Sequence, residues 1–137
     1  MNFLTQIDNL ALIALLLVSG AALFFPTLST LISGKGLSPT EATIWMNRRK
    51  AAVLDLRPEF DFKAGHLPGA KHLLADQIPS GIDKLKLDRK NPIILVCHSG
   101  MSARKVVPEL KKLGFSEVAV LDGGVQGWQA AALPLVK

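Results

Sequence analysis

Residues 9–34 carry no charged side chain, whereas from Lys35 onward short apolar runs alternate with polar and charged ones. The two parts predict different structures. Residues 10–25 read LALIALLLVSGAALFF, the densest apolar stretch in the chain. Residues 10–32 supply about 23 helical positions, enough at 1.5 Å each to cross a hydrocarbon core of ~30 Å. A helix there pairs every backbone group internally, so a bilayer tolerates it. Pro26 is expected to kink it or to mark its last turns. A cleaved signal peptide fits less well, because residues 1–8 contain no Lys or Arg, although Ser19-Gly20-Ala21-Ala22 has the small residues of a cleavage site. A buried core helix rarely runs so long without a polar face. The expectation is a transmembrane anchor and link over residues 1–34 and one soluble domain over 35–137.

In the second part, Ser33-Gly34-Lys35-Gly36 reads as a flexible link. Ser38-Pro39-Thr40-Glu41 has the form of a capping box with proline at the first helical position, which predicts a helix over residues 40–49. Residues 51–56 (AAVLDL) and 92–97 (PIILVC) are short apolar runs and predict buried strands, as do 118–121 and, less strongly, 72–75. Residues 58–63 suggest one helical turn, 66–70 a turn, and 82–87 a short amphipathic helix. Val106, Val107, Leu110 and Leu113 recur at helical spacing, so a helix is expected over residues 103–113, stopped by Gly114. Asp122-Gly123-Gly124 is turn material ahead of a last helix over 125–132. Strands alternating with helices imply an α/β domain with a mainly parallel sheet.

Charge adds orientation. All 16 Lys and Arg fall at or after Lys35, with Arg48, Arg49 and Lys50 close behind the apolar stretch. The positive-inside rule therefore places the domain in the cytoplasm, behind a single span of the inner membrane. Asp8 is the one acidic residue ahead of the domain, so the domain is more basic than the whole chain at +5. A basic face beside an anionic leaflet accounts for this and makes membrane lipid a partner. The basic residues are scattered and form no nucleic-acid-binding motif. The 137 residues include one cysteine, so no intrachain disulfide forms, in keeping with a reducing compartment. Cys97, His66, His72 and His98 have no recognised metal-ligand spacing, and neither metal nor cofactor is expected.

The chemistry centres on Cys97. It ends the clearest strand and precedes a loop with Ser99, Gly100 and Ser102, then a helix. In open α/β sheets ligands bind at the carboxyl ends of strands. Unpaired amides of the loop and of the helix N-terminus favour an anion there, and a thiolate so placed is a better nucleophile. On its own, a single cysteine at a strand end is as often a small buried apolar residue.

Cys97-His98-Ser99-Gly100-Met101-Ser102 resembles the six-residue active-site loop of the rhodanese superfamily. Leu54-Asp55-Leu56-Arg57 resembles that family's D-x-R strand end. Gly65-His66-Leu67-Pro68-Gly69-Ala70 resembles its G-H-I-P-G-A turn. Leu121-Asp122-Gly123-Gly124-Val125 with Trp128 and Leu133-Pro134-Leu135 resembles its tail. Four motifs in the family's order are far more specific than any one. The resemblance implies a three-layer sandwich around a five-stranded, mainly parallel sheet. It implies sulfur transfer from a small donor such as thiosulfate, through a Cys97 persulfide, to a thiol or protein acceptor. His98, Ser99, Gly100, Met101 and Ser102 would cradle the sulfur, with Asp55, Arg57 and Arg104 in support. His66 reads as structural, His72 as incidental and Trp128 as core. One departure matters: many active rhodaneses carry Arg or Lys just after the cysteine and near the loop's end, where this chain has His98 and Ser102.

Two other functions compete. A cysteine phosphatase or arsenate reductase needs Cys, five residues and then Arg; here six residues separate Cys97 from Arg104. A membrane-tethered binding or assembly module without catalysis is the stronger rival. Ser19-Gly20-Ala21-Ala22 would allow close contact with another membrane protein.

Overall fold

The computed structural model describes residues 7–137, with side chains for 9–25 and 34–137. The chain divides into two compact units, one ending at Ile32 and one spanning Ser33–Lys137. The first is the helix α1 (Ile7–Ser33), which continues through Pro26. Residues 1–6 lie outside the described part.

The expected transmembrane span is not carried by the described residues. No helix among them is long and apolar enough to cross a membrane. The side chains described in α1 cover residues 9–25, and about 17 residues rise roughly 25 Å, short of a ~30 Å core. Residues 26–32 of the proposed span lie outside the described side chains.

The second unit is built on five parallel strands: β1 (Lys35–Leu37), β2 (Ala52–Asp55), β3 (Lys71–His72), β4 (Ile93–Val96) and β5 (Val118–Leu121). Their order in the sheet is β1-β5-β4-β2-β3. β4 and β5 are buried along their whole length, as strands covered on both faces must be. Successive residues point to opposite faces. Leu54, Ile93, Leu95, Val118 and Val120 therefore pack with Ile78, Ile82, Leu110 and Phe115 on one side. Val53, Ile94, Val96, Ala119 and Leu121 pack with Ala42, Leu67, Val125 and Trp128 on the other. α4 (Ile78–Gly81), α5 (Met101–Arg104) and α6 (Val107–Lys112) cover the first face; α2 (Pro39–Arg48) and α7 (Gly124–Ala130) cover the second. α3 (Glu59–Ala64) buries no side chain.

The capping box forms as expected. The Ser38 N–H donates to Glu41 Oε2 and the Glu41 N–H to Ser38 Oγ, both at 3.2 Å.

Four local expectations change. Lys35-Gly36-Leu37 is strand rather than link, because β5 supplies a partner: Lys35 pairs with Ala119 and Leu37 with Leu121. The helix expected over 103–113 is two helices. Pro108 lacks the N–H that would bond the Arg104 carbonyl four residues back, and its ring crowds that carbonyl. α5 accordingly ends at Arg104, and Pro108 sits in the first turn of α6. Residues 99–102 are not all loop, since α5 begins at Met101. β3 stops at His72, and the Leu74 N–H turns away from the ladder to Gln77 Oε1, 3.2 Å distant.

Candidate functional site

Because every strand is parallel, all five carboxyl ends lie along one edge. β2 delivers Asp55 to that edge and β4 delivers Cys97 just beyond Val96, the two strands being paired at Asp55 and Val96. Cys97 is 5% exposed and packs in the same cluster as Leu95, Ala103 and Val106. Its sulfur is not enclosed by carbon alone. The Gly100 N–H donates to Cys97 Sγ at 2.9 Å. That contact needs the chain to turn back over the sulfur, and Gly100 does so at φ +94, a conformation costly for residues with a Cβ.

A second turn holds the loop from outside. The Val125 N–H donates to the Cys97 carbonyl at 2.9 Å and the Gln126 N–H to that of His98 at 3.4 Å. This approach is close because Gly124 has no side chain. A Cβ there would overlap the Cys97 carbonyl oxygen and lie 2.5 Å from that of His98. The paired glycines stand plainly in the sequence, but their function of clamping the cysteine loop does not.

Asp55 and Arg57 form a buried ion pair. The guanidinium Nε and Nη2 donate to both carboxylate oxygens at 2.8–3.1 Å, and Nη2 also donates to the Gly65 carbonyl at 2.6 Å. Asp55 is completely buried and Arg57 nearly so. His72 is not incidental: its Nε2 lies 2.6 Å from the Arg57 carbonyl, which requires the proton on that nitrogen. His66 is structural, with Nδ1 2.8 Å from the Phe62 carbonyl and its ring stacked on Phe62. Trp128 is core, its Nε1–H donating to the Pro134 carbonyl.

His98, Ser99, Met101 and Ser102 are exposed around the loop, and Gly100 is buried. His98 Nε2 lies 3.2 Å from Asp61 Oδ2. Asp61, on α3, went unrecognised in the sequence; it lies far from His98 along the chain and belongs to no motif. Arg104 turns to Asp122, with Nη2 3.1 Å from Oδ1. A cleft of about 290 Å³ opens beside the loop, lined by Arg57, Asp61, His98, Gln126, Gln129 and Leu135 among others. Cys97 does not line it, and is joined to it by its neighbour His98. Among the described residues no three His, Cys, Asp or Glu side chains converge as metal ligands.

This arrangement has relatives. A model of the rhodanese-like domain matches residues 38–131. The uncharacterized protein YibN of Escherichia coli K12 is 37% identical over 123 residues, covering 89% of this chain and 85% of YibN. The thiosulfate sulfurtransferase GlpE of Stutzerimonas stutzeri is 35% identical over 91 residues, covering 66% of this chain and 82% of GlpE. A rhodanese-related protein of Thermoplasma volcanium superposes with a TM-score of 0.63 at 22% identity, over 74% of this chain and 97% of that one.

Proposed function

The chain belongs to the rhodanese-like domain family, and on that footing we propose that it is a membrane-anchored sulfurtransferase passing sulfane sulfur through a persulfide on Cys97. The observation that carries this reading is the Gly100 amide aimed at the Cys97 sulfur at a strand's carboxyl end. This N–H is placed to donate a hydrogen bond to an anionic sulfur formed there in the reaction.

With thiosulfate as donor, the Cys97 thiolate attacks the outer sulfur. The sulfur–sulfur bond breaks, its electron pair leaves with sulfite, and Cys97 becomes a persulfide anion. An acceptor thiolate then attacks the terminal sulfur of that persulfide, takes it, and releases the Cys97 thiolate. Neither step needs an oxidant, a metal or a cofactor. The 2.9 Å contact from Gly100 serves both, while the Gly124 turn fixes the loop that presents it.

Cys97 is the chain's one cysteine, so intact mass reads the chemistry without ambiguity. Incubation with a sulfur donor is expected to add one sulfur atom to the wild type and none to Cys97→Ala, and a thiol acceptor should remove it. No added sulfur from thiosulfate or from persulfide donors would instead favour a non-catalytic binding or assembly module tethered to the membrane. The near-complete burial of Cys97 is the feature that favours this second reading.

The anchor is the second element of the proposal. It draws on the uncharged stretch over residues 9–34 and on the continuity of α1 from Ile7 to Ser33. Leu15, Leu16, Leu23 and Phe24 are each at least 66% exposed, so α1 presents apolar groups on several sides, as a helix solvated by lipid does. The placing of all Lys and Arg at or after Lys35 supports a cytoplasmic orientation of the domain in this proposal. In fractionated cells the full chain is expected in the membrane pellet after alkaline carbonate washing, and a chain starting at Lys35 in the soluble fraction. Release of the full chain by carbonate would rule out the span.

A further inference from the structure

Three cations around the cysteine loop are each matched by a carboxylate. Arg57 is bound in bidentate fashion to Asp55, His98 faces Asp61 at 3.2 Å, and Arg104 faces Asp122 at 3.1 Å. The tally holds for either protonation state of His98. When charged it is balanced by Asp61; when neutral it leaves Asp61 as an uncompensated negative charge on the cleft wall. The remaining polar lining of the cleft includes Gln126 and Gln129, neutral amides that both donate and accept. Lys105, just past α5, is exposed and, like Arg104 and Asp122, lies outside the cleft lining.

An anion entering the cleft finds no surplus cation in its lining, and its desolvation cost rises steeply with its charge. Thiosulfate brings two negative charges. A persulfide on an amino-acid-sized thiol brings one, and its ammonium and carboxylate groups can be met by Asp61 and by the two amides. Resting on the sulfurtransferase reading above, we infer that the donor class of this site is a low-charge thiol persulfide, and that the three carboxylates Asp55, Asp61 and Asp122 select against the thiosulfate dianion. Loading balances as before. The Cys97 thiolate attacks the terminal sulfur of R–S–S⁻, the donor's S–S bond breaks, and R–S⁻ departs with the electron pair.

The test compares rates of sulfur loading onto Cys97 by intact mass. It uses the full chain in detergent, with cysteine persulfide and thiosulfate as the two donors and Cys97→Ala as background. The wild type is expected to load from cysteine persulfide about tenfold faster or more than from thiosulfate at low salt. Raising the salt should shift the ratio toward thiosulfate by screening the repulsion. Asp122→Asn, which frees Arg104, and Asp61→Asn should each shift the ratio toward thiosulfate by up to about fivefold, the scale of one exposed charge pair. That ratio is insensitive to general damage to the loop, which slows both donors together. Equal loading from both donors, or a ratio unmoved by either variant and by salt, overturns the selectivity and leaves the sulfurtransferase intact. No loading from any donor overturns both.

Discussion

Gly124→Ala is expected to abolish sulfur loading at Cys97 and to destabilise the domain by about 3 kcal/mol. Two costs combine. At φ +57 a residue with a Cβ is strained by about 1–2 kcal/mol. The added carbon would also overlap the Cys97 carbonyl oxygen, and forcing apart a packed contact costs about 1–3 kcal/mol. Relief requires the cysteine loop to move outward, which breaks the Val125–Cys97 hydrogen bond and shifts the sulfur relative to the Gly100 amide. Gly69→Ala separates the two costs. Gly69 also has positive φ, at +75, but a Cβ there meets nothing within 4 Å. It should cost only about 1 kcal/mol and leave loading unchanged. Thermal and urea unfolding of the two variants provide the comparison. Equal losses for both would mean that the glycine turn does not clamp the loop.

The second large effect is expected at Arg57. Arg57→Ala leaves the Asp55 carboxylate, completely buried, without its cation, and the Gly65 carbonyl without its donor. Breaking one side of a buried pair costs about 3–5 kcal/mol, a large share of the ~5–15 kcal/mol that hold a domain together. Much of that cost is the isolated charge rather than the lost attraction. Asp55→Leu combined with Arg57→Met should therefore be markedly more stable than Arg57→Ala alone. Denaturant midpoints measured across this cycle decide the matter. A loss below about 1 kcal/mol for Arg57→Ala would show the pair to be solvated.

The sequence makes the centre of the domain legible and leaves its periphery obscure. β4 and β5 announce themselves because a strand covered on both faces must be apolar throughout, and PIILVC and VAVL are. α2 is legible because Ser38 and Glu41 satisfy each other's amides locally. β1 is not, since Lys35-Gly36-Leu37 has no strand pattern of its own and is extended only because β5 lies beside it. The break between α5 and α6 was signalled by Pro108, yet the apolar spacing of Val106, Val107, Leu110 and Leu113 runs straight across it. At the site, the motifs locate Cys97, Asp55 and Arg57. They give no sign of the Asp61–His98 contact, which depends on α3 and the loop meeting across the cleft. The reach of His72 to the Arg57 carbonyl is hidden for the same reason.

Strand order also constrains the timing of synthesis. β1 emerges first, but its hydrogen-bonding partner is β5, and Lys35 must wait for Ala119 before its ladder exists. Among the described residues no hairpin is available to stabilise an early half of the sheet, because all four strand pairings in it are parallel and span a crossover. A ribosome-bound chain therefore holds β1 unpaired until its last strand leaves the exit tunnel, and α1 is fully exposed to its surroundings well before the domain behind it can close.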